Sequence, residues 1–160
     1  MDINCCIVGC TQMNNFPIWW DTTVTIYSKC VDTATSIITW HKATVSNCFW
    51  KLVGNKASVG NVIVDTESIT CRIPKQSNFI EPVEWVSSNS ENLNEMFTLQ
   101  PGDIIIKGDC DFEINEYKSG QRSTDLIAKY RKVQGCMEIK DVAIDTMTGM
   151  MNPHYKVRGL

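Results

Sequence analysis

The chain has no uninterrupted apolar run near the ~20 residues that a membrane-crossing helix needs, so no helical span is expected. It has no surplus of positive charge either. With 15 basic against 18 acidic residues the net charge is -3, which argues against gripping nucleic acid along its phosphates. Histidine is scarce, with only His41 and His154, and the eight cysteines include no C-x-x-C pair. A zinc site is therefore not expected. There is no Walker loop, no G-x-G-x-x-G and no G-x-S-x-G, and neither histidine lies in a nucleophile motif. These absences argue against an enzyme and imply neither metal nor cofactor. Cys5-Cys6-Ile-Val-Gly-Cys10 lacks the basic and apolar regions of a secretory leader, so the scattered thiols read as reduced, buried small hydrophobes.

What is present is β-sheet pattern. A chain of 160 residues fits one domain that buries roughly two-thirds of its unfolded surface. The organising stretch runs from Leu99 to Ile114. Pro101 and Gly102 set a turn, Ile104, Ile105 and Ile106 begin a strand, and Asp111 to Ile114 is expected to form another. Ser68 to Pro74 alternates, with Ile69, Cys71 and Ile73 on one face and Ser68, Thr70 and Arg72 on the other. Thr23 to Ser28 alternates in the same way. Thr35 to Val45 and Asn47 to Val53 read as strands, the second stopped by Gly54-Asn55. Gly60 to Asp65 and Ser68 to Ile73 read as a hairpin across Thr66-Glu67.

Ser123 caps a helix over 124–132, with Asp125 in the first turn and Lys129, Arg131 and Lys132 near the end, as the helix dipole favours. Cys136 to Asp145 and His154 to Arg158 are the last strands, joined by a turn at Thr148-Gly149 and Asn152-Pro153. The expected fold is mainly β, a small β-barrel or sandwich with about eight short strands and one short helix. Residues 1–22 form an N-terminal arm, 23–160 the barrel domain, and about 75–100 a long loop.

Candidate functional residues fall in three places. Trp19 and Trp20 on the arm either anchor a neighbouring subunit or fold back on their own core. The end strand carries His154, Tyr155, Lys156 and Arg158, which either add to a neighbour's sheet and meet acidic groups, or form a last strand with its charges in water. Asp109, Asp111 and Glu113 alternate, which suits a cation or general-acid pair but also a solvated polar face.

The strand Thr25-Ile-Tyr27, the segment from Trp50 to Cys-Arg-Ile-Pro74, the turn Pro-Gly-Asp-Ile-Ile-Ile-Lys-Gly-Asp109, residues 123–130 and the ending Pro-His-Tyr-Lys-Val-Arg-Gly159 occur in a telling order. Over about residues 23–160 that order resembles small proteins encoded in the head and neck region of tailed bacteriophages of Gram-positive-type hosts. Within them it is similar to the head-completion or stopper type. The resemblance implies a structural virion protein, made in the host cytoplasm and placed in the neck as a hexameric or dodecameric ring. Such a ring sits between a portal or adaptor and a tail terminator or tail tube. Packaged double-stranded DNA passes through it without sequence-specific binding.

In that setting Trp19, Trp20, His154, Tyr155, Lys156 and Arg158 are the expected subunit or partner interface, and Phe79, Trp85 and Phe97 the expected channel loop. Tail terminator and minor capsid protein are alternatives in the same class. From other classes come a small β-barrel ligand- or host-binding module with a pocket of Trp40, Trp50 and Trp85, and a metal-dependent hydrolase using Asp109, Asp111 and Glu113.

Overall fold

The computed structural model describes residues 16–60, 62–88, 93, 95–131, 133, 135–145 and 153–160. Cys5, Cys6, Cys10 and the expected turn at Thr148-Gly149 and Asn152 lie outside them. Six strands occur, β1 (Thr22–Val31), β2 (Ile38–Val59), β3 (Val62–Pro74), β4 (Ile104–Lys107), β5 (Cys136–Asp145) and β6 (His154–Gly159). Two short helices, α1 (Pro82–Ser87) and α2 (Ser123–Arg131), lie between them. The strands close into an antiparallel barrel in the order β1-β2-β3-β6-β5-β4.

The interior follows from two-residue alternation. Val24 and Ile26 of β1, Ala43 and Val45 of β2, Ile69, Cys71 and Ile73 of β3, Ile105 of β4, Met137 and Ile139 of β5, and Tyr155 and Val157 of β6 form one buried cluster. β1, β4 and β5 are covered on their outer face as well. Tyr27, Ile104, Ile106 and Cys136 face outward and are sealed by Leu126 of α2 together with Cys110, Phe112 and Ile114. That second layer explains why three isoleucines stand in a row, since both faces of β4 are apolar.

Two corners let so short a sheet close. The pairing of β1 with β2 shifts by one residue between Thr22 and Val24, opposite Ser46 and Asn47. Asn47 has a φ of 58° there, the mark of a bulge that bends β2 out of its pairing with β1 and into its pairing with β3. The second shift lies between Ile139 and Asp141 of β5, against Gly159. A Cβ on Gly159 would lie 2.1 Å from the Glu138 carbonyl oxygen, so only glycine lets β5 and β6 meet at this corner.

Several elements differ from expectation for local reasons. The separate strands expected over 35–45 and 47–53 are one strand interrupted by the bulge. Gly54-Asn55 does not end it either. Val59 pairs with Val62, so the chain reverses through Gly60, which takes φ 64°, and β3 runs unbroken through Thr66-Glu67. The Gly-Asn dipeptide at 60–61 was the available turn signal. Residues 111–114 are extended but form no ladder, because β4 already has β1 and β5 as neighbours. They are tied to the barrel by the Tyr27 hydroxyl, which donates to the Phe112 carbonyl at 2.8 Å, and by the ion pair of Lys42 with Glu113. Within 75–100 the chain forms α1, with Pro82 at its start and Glu84 in its first turn. Cys30, Cys48, Cys71, Cys110 and Cys136 are free and buried.

Asp103, at the mouth of β4, has no exposed surface. Its carboxylate accepts the Lys29 and Gln100 backbone N–H groups at 2.9 and 3.1 Å. Burial outweighs those donors and pushes its pKa from 3.8 up to about 7. Between these values the folded state holds the proton more tightly than the unfolded chain. The contribution of this group is therefore most favourable below pH 4 and declines by up to about 1.4 kcal/mol per pH unit toward pH 7. Asp103→Asn should flatten that decline in denaturant midpoints measured from pH 4.5 to 7. An unchanged slope would assign the pH dependence to other groups. Gly159→Ala should lower stability by on the order of 3 kcal/mol, read as a lower urea midpoint at constant m-value.

Candidate interaction surface

On β3 the inward Ile69, Cys71 and Ile73 leave Ser68, Thr70 and Arg72 facing out. On β6 the inward Tyr155 and Val157 leave Lys156 and Arg158 out. Beyond its bulge β2 turns Phe49, Lys51 and Val53 to the same side. Strand register then assembles what sequence order scatters. Phe49 lies opposite Arg72 and Arg72 opposite Lys156, while Lys51 lies opposite Thr70 and Thr70 opposite Arg158. The outcome is two rows carrying four cations. Together with Trp19, Trp20, Val53 and Ser68 they line an open groove of about 530 Å³ in which no acidic side chain of the described residues takes part.

The tryptophan arm forms one rim. Phe16 stacks on Trp20 at 4.9 Å, and Trp20 packs against Phe49 at 6.3 Å and edge-on against His154 at 5.1 Å. Trp20 is only 4% exposed whereas Trp19 is 63% exposed, so one ring fixes the arm and the other faces solvent. The Arg72 guanidinium lies over the Phe49 ring at 5.8 Å. Its Nε is buried with no hydrogen-bond partner among the described residues. Arg72 and Lys156 are like charges directly across a strand pair, a placement that disfavours the isolated sheet. An anion in the groove would relieve their repulsion.

Of the expected interface residues, the structure brings Trp19, Trp20, Lys156 and Arg158 together around the groove. His154 lies beneath Trp20 and is buried. Tyr155 points the other way, into the barrel, where it meets Phe79 at 4.3 Å. These two are therefore covered within the chain rather than presented to a partner. Phe49, Lys51 and Arg72 were missed as site residues, because only strand register places them beside β6. The polar Ser-x-Thr-x-Arg face of β3 was visible, but its neighbours were not.

The expected channel loop is folded down. Phe79 and Phe97 join in a parallel bridge and pack ring against ring at 5.6 Å, over the barrel interior. Trp85 is 1% exposed, and its indole N–H donates to the Lys29 carbonyl at 3.0 Å. Apolar side chains in a polar segment were legible as unusual, but they serve to pin the segment to β1 and the core. Trp40, Trp50 and Trp85 pack against three different clusters and make no common pocket. Asp109, Asp111 and Glu113 are exposed on the extended segment outside β1, where Glu113 pairs with Lys42 and the neighbouring Glu116 accepts the Trp40 indole N–H at 2.8 Å. No set of three acidic, histidine or cysteine side chains suited to a metal occurs among the described residues.

A family model described as a family of unknown function, DUF6751, matches residues 19–160. Neither the curated proteins nor the solved structures gave a match. The matched span begins at Trp19 and includes every strand of the barrel and all the residues that line the groove. The chain belongs to the family DUF6751.

Proposed function

We propose that this protein is a non-enzymatic structural component of a tailed-bacteriophage particle, a ring of the head–tail neck of the head-completion type. It joins the portal or adaptor ring to the tail terminator or tail tube and helps retain packaged DNA. The observation that carries this reading is the ribbon formed by the ends of β2 and β3. Among the described residues, 54–59 and 62–67 pair with each other and with no further strand, because β1 leaves β2 at Cys48 and β6 joins β3 only from Ile69. Both outer edges of that ribbon offer backbone donors and acceptors. A two-stranded ribbon is marginal alone in water, and open edges favour pairing with another chain.

A ring supplies such neighbours on every copy. The motif order shared with small neck proteins supports the same reading. The net charge of -3 also suits a channel component through which a duplex must slide rather than stick. The groove supports a second reading from another class, a small barrel that binds an anionic ligand or host surface.

Quantitative mass spectrometry of purified virus particles tests the proposal. A copy number equal to the portal protein, or half of it, is expected. Absence from particles, with the protein abundant in infected cells, would overturn the neck reading in favour of the binding module.

A further inference from the structure

The groove and the acidic segment occupy opposite sides of one barrel. In the closed order β6 stands three places from β1, and β3 three places from β4. The groove lies on β3 and β6 with the adjoining end of β2. The segment 109–116 lies over β1 and the start of β2, held by the Tyr27 hydroxyl, Lys42 and the Trp40 indole N–H. Its alternation turns Cys110, Phe112 and Ile114 inward and leaves Asp109, Asp111 and Glu113 outside. The two surfaces thus lie over different walls of the barrel. Glu113 reaches Lys42 within its own chain, but no acid of this segment pairs with a cation of the groove among the described residues.

Their spacings agree. Burial alternates residue by residue over 109–114 as on an extended chain, for which the interval between successive outward residues is ~6.8 Å. It is equally the interval between the row of Arg72 and Lys156 and the row of Thr70 and Arg158. Lys51, Arg72, Lys156 and Arg158 form no ion pair among the described residues, nor do Asp109 and Asp111. Asp141 lies opposite Arg158 across the β5–β6 ladder and comes no nearer than a register neighbour. Trp19 stands exposed at the rim, a residue type that anchors interfaces.

We propose that copies of this chain associate head to tail, the segment Asp109–Glu116 of one copy seating in the cationic groove of the next. The contact is heterologous, so each copy offers one acidic and one cationic surface, and the assembly either closes as a ring or extends as a filament. This rests on the ring reading and deepens it, by naming the two surfaces through which neighbours meet. It also accounts for the like charges of Arg72 and Lys156 facing each other across a ladder. The incoming carboxylates neutralise a repulsion that the free protein retains.

Sedimentation velocity on the purified full-length protein tests the contact, with Lys51→Glu/Lys156→Glu and Asp109→Lys/Asp111→Lys as charge-reversed pairs. All four positions are exposed or half-buried and outside the core, and thermal melting checks that both variants fold. Wild type should form oligomers whose association constant falls at least about tenfold from 0.1 to 1 M salt, as the Debye length drops from about 10 to 3 Å. Each reversed variant should sediment as a monomer. An equimolar mixture should reassemble, because each variant then meets the opposite charge on both sides.

Wild type that stays monomeric at every salt and concentration would overturn the proposal, as would two folded variants that assemble like wild type. Loss of assembly without rescue on mixing would overturn the pairing of these two surfaces. A monomer that instead binds a DNA duplex with steep salt dependence would reassign the groove to phosphate. Particles that contain the protein at neck copy number, with no charge-dependent assembly, would refute this contact and leave the ring reading standing.

Discussion

The barrel depends on a buried carboxylate at the meeting point of four segments. Asp103 receives the Lys29 N–H from β1 and the Gln100 N–H from its own turn, while its carbonyl accepts the Ile139 N–H of β5 at 2.8 Å. The Lys29 carbonyl on the other side takes the Trp85 indole N–H of α1 and the Gln100 side-chain amide. Around these two residues β1, β5, α1 and the Pro101-Gly102 turn hold a common register. Removing any one donor would leave a buried acceptor without its partner, which costs more than the bond itself contributes. A group this costly to bury is worth its place only where it fixes geometry that apolar packing would leave free to slide. Here that geometry is the entry of β4, the strand that closes the barrel.

Closure in turn decides which walls are clothed. The outer face of β1, β4 and β5 is sealed by α2 and by the extended segment after β4, and the face near Cys30 by Trp85, Leu93 and their neighbours. Among the described residues the wall of β3 and β6 receives only the tryptophan arm. Its outward positions are cations and small polar residues, so it is soluble in the free protein and still able to meet an anionic surface. An acidic chain with a local cationic groove and a local acidic segment has a charge distribution that its net charge conceals.

Alternation made the strands of residues 23–28, 68–73 and 136–145 legible, because a half-clothed strand writes its inward face every second residue. The helix at 123–131 was legible from Asp125 and its basic end, although Ser123, expected as its cap, is its first residue and the Arg122 carbonyl accepts the first N–H groups. Where both faces are buried, as at Ile104 to Ile106, the period disappears while a strand remains. Bulges were the harder feature. The gap expected between Val45 and Asn47 is such a bulge, where Asn47 takes a left-handed conformation and the ladder resumes with one residue of slip. The polar segment after β3 read as a working loop because its anchors, Phe79, Trp85, Leu93 and Phe97, have no period. They are spaced by the surface they cover rather than by a regular element of their own.

The site was half legible for a related reason. Lys156 and Arg158 share a short strand, so their common face follows from sequence alone. Arg72 and Lys51 join them only through the pairing of β3 with β6 and with β2, contacts that span 84 and 19 positions in the chain. A binding surface spread over a sheet is a property of register, and register is fixed by distant features, here the bulge at Asn47 and the corner at Gly159. A shift of one residue at either corner would turn the cations of one strand inward and leave the rows without their partners. The groove is thus maintained by the same two corners that close the barrel, which makes loss of the surface without loss of the fold a matter of side chains alone.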